Sequence, residues 1–147
     1  MKGVVRKELF FDDINVGDRV PDLVKEPVTE TQLVMYAGAS GDFNPLHTVH
    51  SYGEKAGFGG VIAHGQLGMA FLGQLITDWV GVKALKKLSV NFKSVIKPKD
   101  IITCKGIVSN KYSKEGKNYI DIDLVAENQR GEEVITGKAS FVLPSKS

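Results

Sequence analysis

The sequence predicts an α+β domain in which one long helix is followed by an antiparallel sheet. Its 147 residues suit a single domain, residues 1–147, and its 42% apolar content is enough for a core. Between Val61 and Val80 the apolar side chains form two i, i+4 rows, which is typical of a helix buried on most sides. From Ala84 onward apolar and polar residues alternate, and this period of two is typical of strands.

The segment before the long helix predicts short and irregular elements. Residues Val4–Phe11 are apolar enough for a strand. Residues Val20–Val28 contain two prolines, which restrict any strand there to a sheet edge. Thr29 and Gln32 fit a capping box, so we expect a helix over Glu30–Ala39.

A second short helix is predicted over Tyr52–Ala56. Ser51 and Glu54 fit a capping box, and Gly57 suits the position after the helix end. The glycines of Gly57–Gly60 do not have the spacing of a phosphate-binding fingerprint. We interpret them as a turn that permits close backbone approach.

The second half predicts four consecutive strands joined by turns, which is an antiparallel meander. The strands are expected around Leu88–Phe92, Ile101–Lys111, Ile120–Ala126 and Val134–Leu143. So small a sheet cannot cover a helix that is apolar nearly all round, and its edge strands would stay open. We therefore expect a homodimer or a higher homo-oligomer.

Composition and charge exclude several classes of function. The net charge of +2 is too small to indicate nucleic-acid binding. Cys104 is the single cysteine, so no intrachain disulfide can form, and this favours a reducing compartment such as the cytoplasm. The start of the chain has no apolar signal-peptide region. Glycine and polar residues interrupt Val61–Val80, which favours a buried helix over a membrane span.

The stretch Gly41–His47 carries the strongest chemical signal. Pro45 fixes its own backbone and pushes Asn44 out of the helical region, so we expect a stiff, bent loop. Two interpretations of Asp42 and His47 stay open. In the structural one, the Asp42 carboxylate caps backbone amides of the loop and His47 fills a gap. In the catalytic one, the two side chains share acid–base catalysis on one water molecule.

The start of the long helix predicts a site for developing negative charge. The first N–H groups of a helix have no partner within the helix, and the helix dipole is positive there. We expect the backbone of Ala63, His64 and Gly65 to form this oxyanion site, which Gly65 leaves open.

Two other chemistries receive less support. His47 and His50 are three residues apart, but His64 is distant in sequence and no cysteine or second carboxylate completes a ligand set, so we expect no metal. We expect His50 to be a surface or capping residue. Neither Ser40 nor Ser51 lies in a nucleophile-elbow pattern, so a serine nucleophile is set aside.

The whole of Gly41–His47, read Gly-Asp-Phe-Asn-Pro-Leu-His, resembles the hydratase motif of the MaoC-like dehydratases, the (R)-specific enoyl-CoA hydratase family. The resemblance extends over essentially the whole chain. It includes Tyr36–Ser40, Ala56–Phe58, Ile62–Gly65 and Val90–Lys93.

The resemblance implies a hot-dog fold, in which a long central helix is wrapped by an antiparallel β-sheet, and a dimer. It implies that Asp42 and His47 are catalytic and that Asn44 and Pro45 support the loop. The resemblance also implies the reaction: without a cofactor, the protein would hydrate trans-2-enoyl thioesters of coenzyme A or acyl carrier protein to (R)-3-hydroxyacyl thioesters, or catalyse the reverse dehydration.

Two alternatives within the same fold stay open. A hot-dog acyl-CoA thioesterase usually places a carboxylate on or near the central helix, and here Asp78 lies at its far end. A non-catalytic acyl-thioester-binding subunit would lack the acid–histidine pair, which this chain keeps.

Overall fold

The computed structural model describes residues 8–146, which form three α-helices, five strands and two short 3-10 helices. The helices are α1 (Glu30–Ser40), α2 (His50–Lys55) and α3 (Gly65–Val80). The strands are β1 (Arg19–Val24), β2 (Leu85–Phe92), β3 (Thr103–Lys114), β4 (Lys117–Glu127) and β5 (Glu133–Val142). The 3-10 helices cover Phe11–Asp13 and Pro45–His47.

All five strands form one sheet in the order β1-β3-β4-β5-β2, and every neighbouring pair is antiparallel. Helix α3 contacts β1, β2, β3 and β4, so the sheet wraps around it. Its buried side chains, among them Leu72 and Ile76, join the inward residues of the sheet, such as Ile122 and Phe141, in one core. The predicted α+β hot-dog architecture is confirmed.

The glycines of α3 differ in how closely the sheet approaches them. A Cβ atom at Gly68 would lie 2.5 Å from Cδ1 of Ile135, closer than real side chains permit. A Cβ atom at Gly73 would make an ordinary contact of 3.6 Å with the Leu88 side chain. Glycine at position 68 costs about 1 kcal/mol against alanine in a helix, but a Cβ atom there would force the side chains of Ile135 and Ile96 to shift.

The predicted meander of four strands is wrong for β2. Strands β3, β4 and β5 follow one another as neighbours, but β2 pairs with β5 at the far edge of the sheet. The connection over residues 93–102 is too long for a hairpin, and it carries the chain across to β3. Alternation of residues marks a strand but does not say which strand lies beside it.

The elements before α3 match their predictions in part. Thr29 caps α1 by accepting a hydrogen bond from the Gln32 amide at 3.0 Å, as expected. Strand β1 is an edge strand with a register shift between Val20 and Leu23, around its proline. The predicted strand at Val4–Phe11 lies partly outside the described residues, and none of the described part is a strand.

Helix α2 begins earlier than its capping-box pattern predicts. It starts at His50 after Val49, and no side chain caps it, so Ser51 is not its N-cap. The close approach expected of the glycine-rich turn is confirmed, because a Cβ atom on Gly53 would lie 1.7 Å from the Gly60 carbonyl oxygen. Among residues 8–146, no helix has the length and apolar character needed to cross a bilayer.

Candidate active site

The loop that follows α1 is fixed by its own backbone and side chains. Gly41 ends α1 in the left-handed region, with φ of 76°, which a glycine adopts without strain. Asn44 then accepts a hydrogen bond from the Leu46 amide at 3.1 Å and caps the 3-10 helix, whose first residue is Pro45. The stiff bend predicted from Asn44 and Pro45 is therefore present.

His47 is held in one orientation by a backbone carbonyl. Its side chain is 11% exposed, and Nδ1 lies 2.8 Å from the carbonyl oxygen of Ile62. A carbonyl only accepts hydrogen bonds, so Nδ1 carries the proton. In neutral His47 the Nε2 atom is then left with a lone pair, which is what a general base requires.

Asp42 lies beside that lone pair. Its Oδ2 atom is 3.7 Å from Nε2 of His47, which is too long for a direct hydrogen bond but brings both groups to one place. Its Oδ1 atom accepts a hydrogen bond from the Asn44 amide at 3.2 Å. The structural and the catalytic interpretation of Asp42 are therefore compatible, since Oδ1 caps a backbone amide of the loop while Oδ2 faces His47.

His64 lies against the pair, although it is distant from it in sequence. Its ring stacks on His47 with a centroid distance of 3.8 Å and an interplanar angle of 24°. It also contacts Tyr36 edge-on at 4.8 Å. The sequence predicted only a backbone role for His64, because sixteen intervening positions with no periodicity give no signal that the two rings will meet.

The neutral form of His64 is favoured by its surroundings. Burial lowers the pKa of His64, and a charge on His47 lowers it further, while the hydrogen bond to the Asp42 carbonyl and the Asp42 carboxylate oppose this. Nε2 lies 3.1 Å from that carbonyl oxygen and therefore carries the proton. Nδ1 is buried without a partner in the described structure.

The same three side chains could hold a cation. Asp42, His47 and His64 each offer a ligand atom, and these atoms lie within 4.8 Å of one another. The expectation that His64 is too distant to join a ligand set was therefore wrong. Nε2 of His64 and Nδ1 of His47 donate to carbonyl oxygens, which leaves the lone pairs of the other two ring nitrogens for a cation. The cluster has two histidines and one carboxylate, which is the composition of a facial triad.

The long helix begins at Gly65, later than predicted, with His64 as its N-cap. The Ala63 amide donates to the carbonyl oxygen of Ile96 at 2.7 Å, so Ala63 cannot supply an oxyanion donor. Helix geometry leaves the first amides without a partner inside the helix. The expected donor set of Ala63, His64 and Gly65 is therefore narrowed to His64 and Gly65. The ring of Phe92 lies beside Gly65.

The space next to the pair is open in a single chain. The side chain of Asp42 is 51% exposed, and Phe43 beside it is 69% exposed. Four cavities of about 220 to 430 Å³ lie elsewhere, on the sheet or near the C-terminal end of α3, and their linings include neither Asp42 nor His47. A long acyl chain would need further walls here.

The remaining candidates of the sequence have structural roles. His50 is exposed and bonds a carboxylate oxygen of Glu30 at 3.0 Å, which confirms it as a surface residue. The Ser40 hydroxyl donates to the Tyr36 carbonyl and accepts from the Asp42 amide. Asp78 lies near the C-terminal end of α3, whereas the pair lies by its start.

A family model described as a MaoC like domain matches residues 14–129, which span α1, α3 and most of the sheet. The chain belongs to the MaoC-like family. The predicted family is thus confirmed, and the matched residues include the loop that carries Asp42 and His47.

Relatives of this MaoC-like chain have hydratase and dehydratase names. It is 26% identical to an (R)-specific enoyl-CoA hydratase of Rhodospirillum rubrum, over 93% of each chain. It is also 26% identical to a 3-hydroxybutyryl-CoA dehydratase of Methylorubrum extorquens, over 94% of this chain and 86% of the relative. The unliganded R-hydratase PhaJ1 of Pseudomonas aeruginosa shares the fold, with a TM-score of 0.83, 24% identity and coverage of 95% and 88%.

Proposed function

We propose that the protein hydrates trans-2-enoyl thioesters to (R)-3-hydroxyacyl thioesters, or dehydrates the latter, as a hydro-lyase. The observation that carries this proposal is the 3.7 Å approach of the Asp42 carboxylate to Nε2 of His47 at an open surface. The names of the relatives support the reaction class, since two of them act on acyl-CoA thioesters.

The pair would hold the water molecule that reacts. The water oxygen forms a bond to C3 of the substrate, one of its protons passes to the pair, and the C2–C3 π electrons move toward the thioester carbonyl. A proton from the pair then goes to C2 on the same face, which balances the addition. We treat Asp42 and His47 as one coupled unit, because two interacting groups share their titration.

The amides of His64 and Gly65 would stabilise the enolate oxygen. Backbone donors at a helix start cost no reorganisation when the charge develops, and one such donor contributes about 10²–10³-fold in rate. Asn44 and Pro45 would serve as loop support, because they fix the bend from which the carboxylate projects.

A homodimer would supply the missing walls of the site. Large apolar side chains are exposed on and near the elements that carry the pair: Val34, Met35, Phe43, Val49, Tyr52 and Phe92. Strands β1 and β2 are the two edges of the sheet. Static light scattering should give twice the chain mass at micromolar concentration, and a monomer there would contradict this part of the proposal.

The carrier would be coenzyme A or acyl carrier protein, and the chain, residues 1–147, would act as a single domain in the cytoplasm. The one cysteine, Cys104, is buried within the core, as suits a reducing compartment.

The test is a turnover screen with enoyl-CoA substrates of increasing chain length. Hydration removes the conjugated absorbance, and chiral chromatography of the product should give the (R)-alcohol. Release of free thiol from acyl-CoA would instead reveal a thioesterase. Tight acyl-CoA binding without turnover would indicate a non-catalytic subunit.

A further inference from the structure

We propose that the His64 side chain is a positioning residue that holds the Asp42 main chain and the His47 ring in their reactive arrangement. The proposal rests on the function proposed above, which uses only the backbone of His64. His64 is 1% exposed, and two of its side-chain contacts reach the site: the Asp42 carbonyl and the His47 ring.

The first contact fixes the residue that carries the carboxylate. Nε2–H of His64 donates to the carbonyl oxygen of Asp42 at 3.1 Å. The amide of Asp42 is bound on its other side by the Ser40 hydroxyl at 3.2 Å. The peptide units on both sides of Asp42 are thus tied down, although its side chain is half exposed. Without His64, the carbonyl side would be free to rotate with the loop.

The second contact limits the rotation of the catalytic imidazole. Within residues 8–146 the imidazole of His47 has one hydrogen bond, to the carbonyl oxygen of Ile62, about which the ring could still tilt. The face of the ring lies 3.8 Å from the His64 ring, close enough to block that tilt. Together the hydrogen bond and the stacked ring aim Nε2 at Asp42.

The arrangement also requires His64 to stay neutral. Its Nδ1 atom is buried with no acceptor among residues 8–146, so protonation there would leave an unsatisfied N–H. It would also place a positive charge against the Asp42–His47 pair while that pair takes up a proton from water. A neutral His64 therefore leaves the pair free to accept that proton.

A residue that merely fills the core would be replaceable by an apolar ring. His64→Phe keeps a stacked ring but loses the donor to the Asp42 carbonyl, whereas His64→Gln has an amide nitrogen of similar reach and loses the ring. We expect His64→Phe to lower kcat by about 10²-fold with KM unchanged, as for a small misplacement of reacting groups. We expect His64→Gln to recover part of that loss.

Nitrogen NMR of the wild-type histidines gives a readout that needs no turnover. We expect His64 in the Nε2–H tautomer and His47 in the Nδ1–H tautomer near pH 7. A His64 that carries its proton on Nδ1, or on both nitrogens, would overturn the proposal even if both variants fail to fold.

The outcomes separate this proposal from the proposed function. Wild-type hydration together with unchanged kcat in a folded His64→Phe would overturn the positioning role alone. Absence of hydration with every enoyl thioester, with the expected tautomers present, would remove the proposed reaction and leave the arrangement intact.

Discussion

Replacing Gly65 by alanine tests the helix-start amides with little risk to the fold. A Cβ atom at Gly65 would lie 3.2 Å from Cε1 and from Cζ of Phe92, so the ring must move. Phe92 is 55% exposed in the single chain, so its ring has room to shift by the few tenths of an ångström that the contact requires. Alanine gains up to about 1 kcal/mol over glycine in a helix, so we expect the free energy of unfolding to change by no more than that amount.

The effect on activity should be much larger. The added methyl group would crowd the place where the thioester oxygen reaches the Gly65 amide. Loss of one such donor costs about 10²–10³-fold in kcat, and we expect a fall of about 10²-fold for Gly65→Ala. The assay is the loss of conjugated absorbance of an enoyl-CoA, alongside urea unfolding of the same preparations.

Gly73→Ala is the matched control. It makes the same change in the same helix, but its Cβ atom would make an ordinary contact of 3.6 Å with Leu88. We expect wild-type turnover and equal or higher stability. If Gly65→Ala turns over substrate as fast as Gly73→Ala, the oxyanion site does not lie at the start of α3.

Three further predictions follow from burial and charge. Burial lowers the pKa of His64, so the unfolded chain binds a proton that the folded chain refuses as pH falls below 6.5. The free energy of unfolding should therefore fall with pH there, by at most about 1.4 kcal/mol per pH unit, and His64→Gln should flatten this slope in urea titrations. Burial raises the pKa of Cys104 to about 12, so iodoacetamide should modify it at neutral pH only after unfolding. Dialysis against a chelator should leave turnover unchanged, whereas a loss restored by Zn²⁺ would make Asp42, His47 and His64 a metal site.

Local signals carried most of what the sequence could predict. The Thr29 cap, the bend at Asn44 and Pro45 and the edge position of β1 depend on neighbouring residues, so their patterns suffice. The pair of Asp42 and His47 is visible for the same reason, since one short loop carries both.

Contacts across the fold had no such signal. Strand β2 pairs with β5 because the connection over residues 93–102 carries the chain across to β3. The alternation of apolar and polar residues in β2 would be the same if it paired with β3. Ile62 orients His47 through its carbonyl, an atom that every residue has. The hydrogen bond of Ala63 to Ile96 removed an expected donor, because backbone amides choose partners by tertiary packing. The stacking of His64 on His47 depends on the path of the chain through α2, which no local pattern predicts.

The central claim is that a carboxylate and an imidazole act on one water molecule, and a double-mutant cycle in kcat tests it directly. The variants are Asp42→Asn, His47→Gln and the two combined, all assayed for hydration of the same enoyl-CoA. Each single change should lower kcat by about 10²–10⁴-fold, and the double variant should be no slower than the slower single, because the residues work as a unit. Losses that multiply, or wild-type turnover in either single variant, would contradict the account.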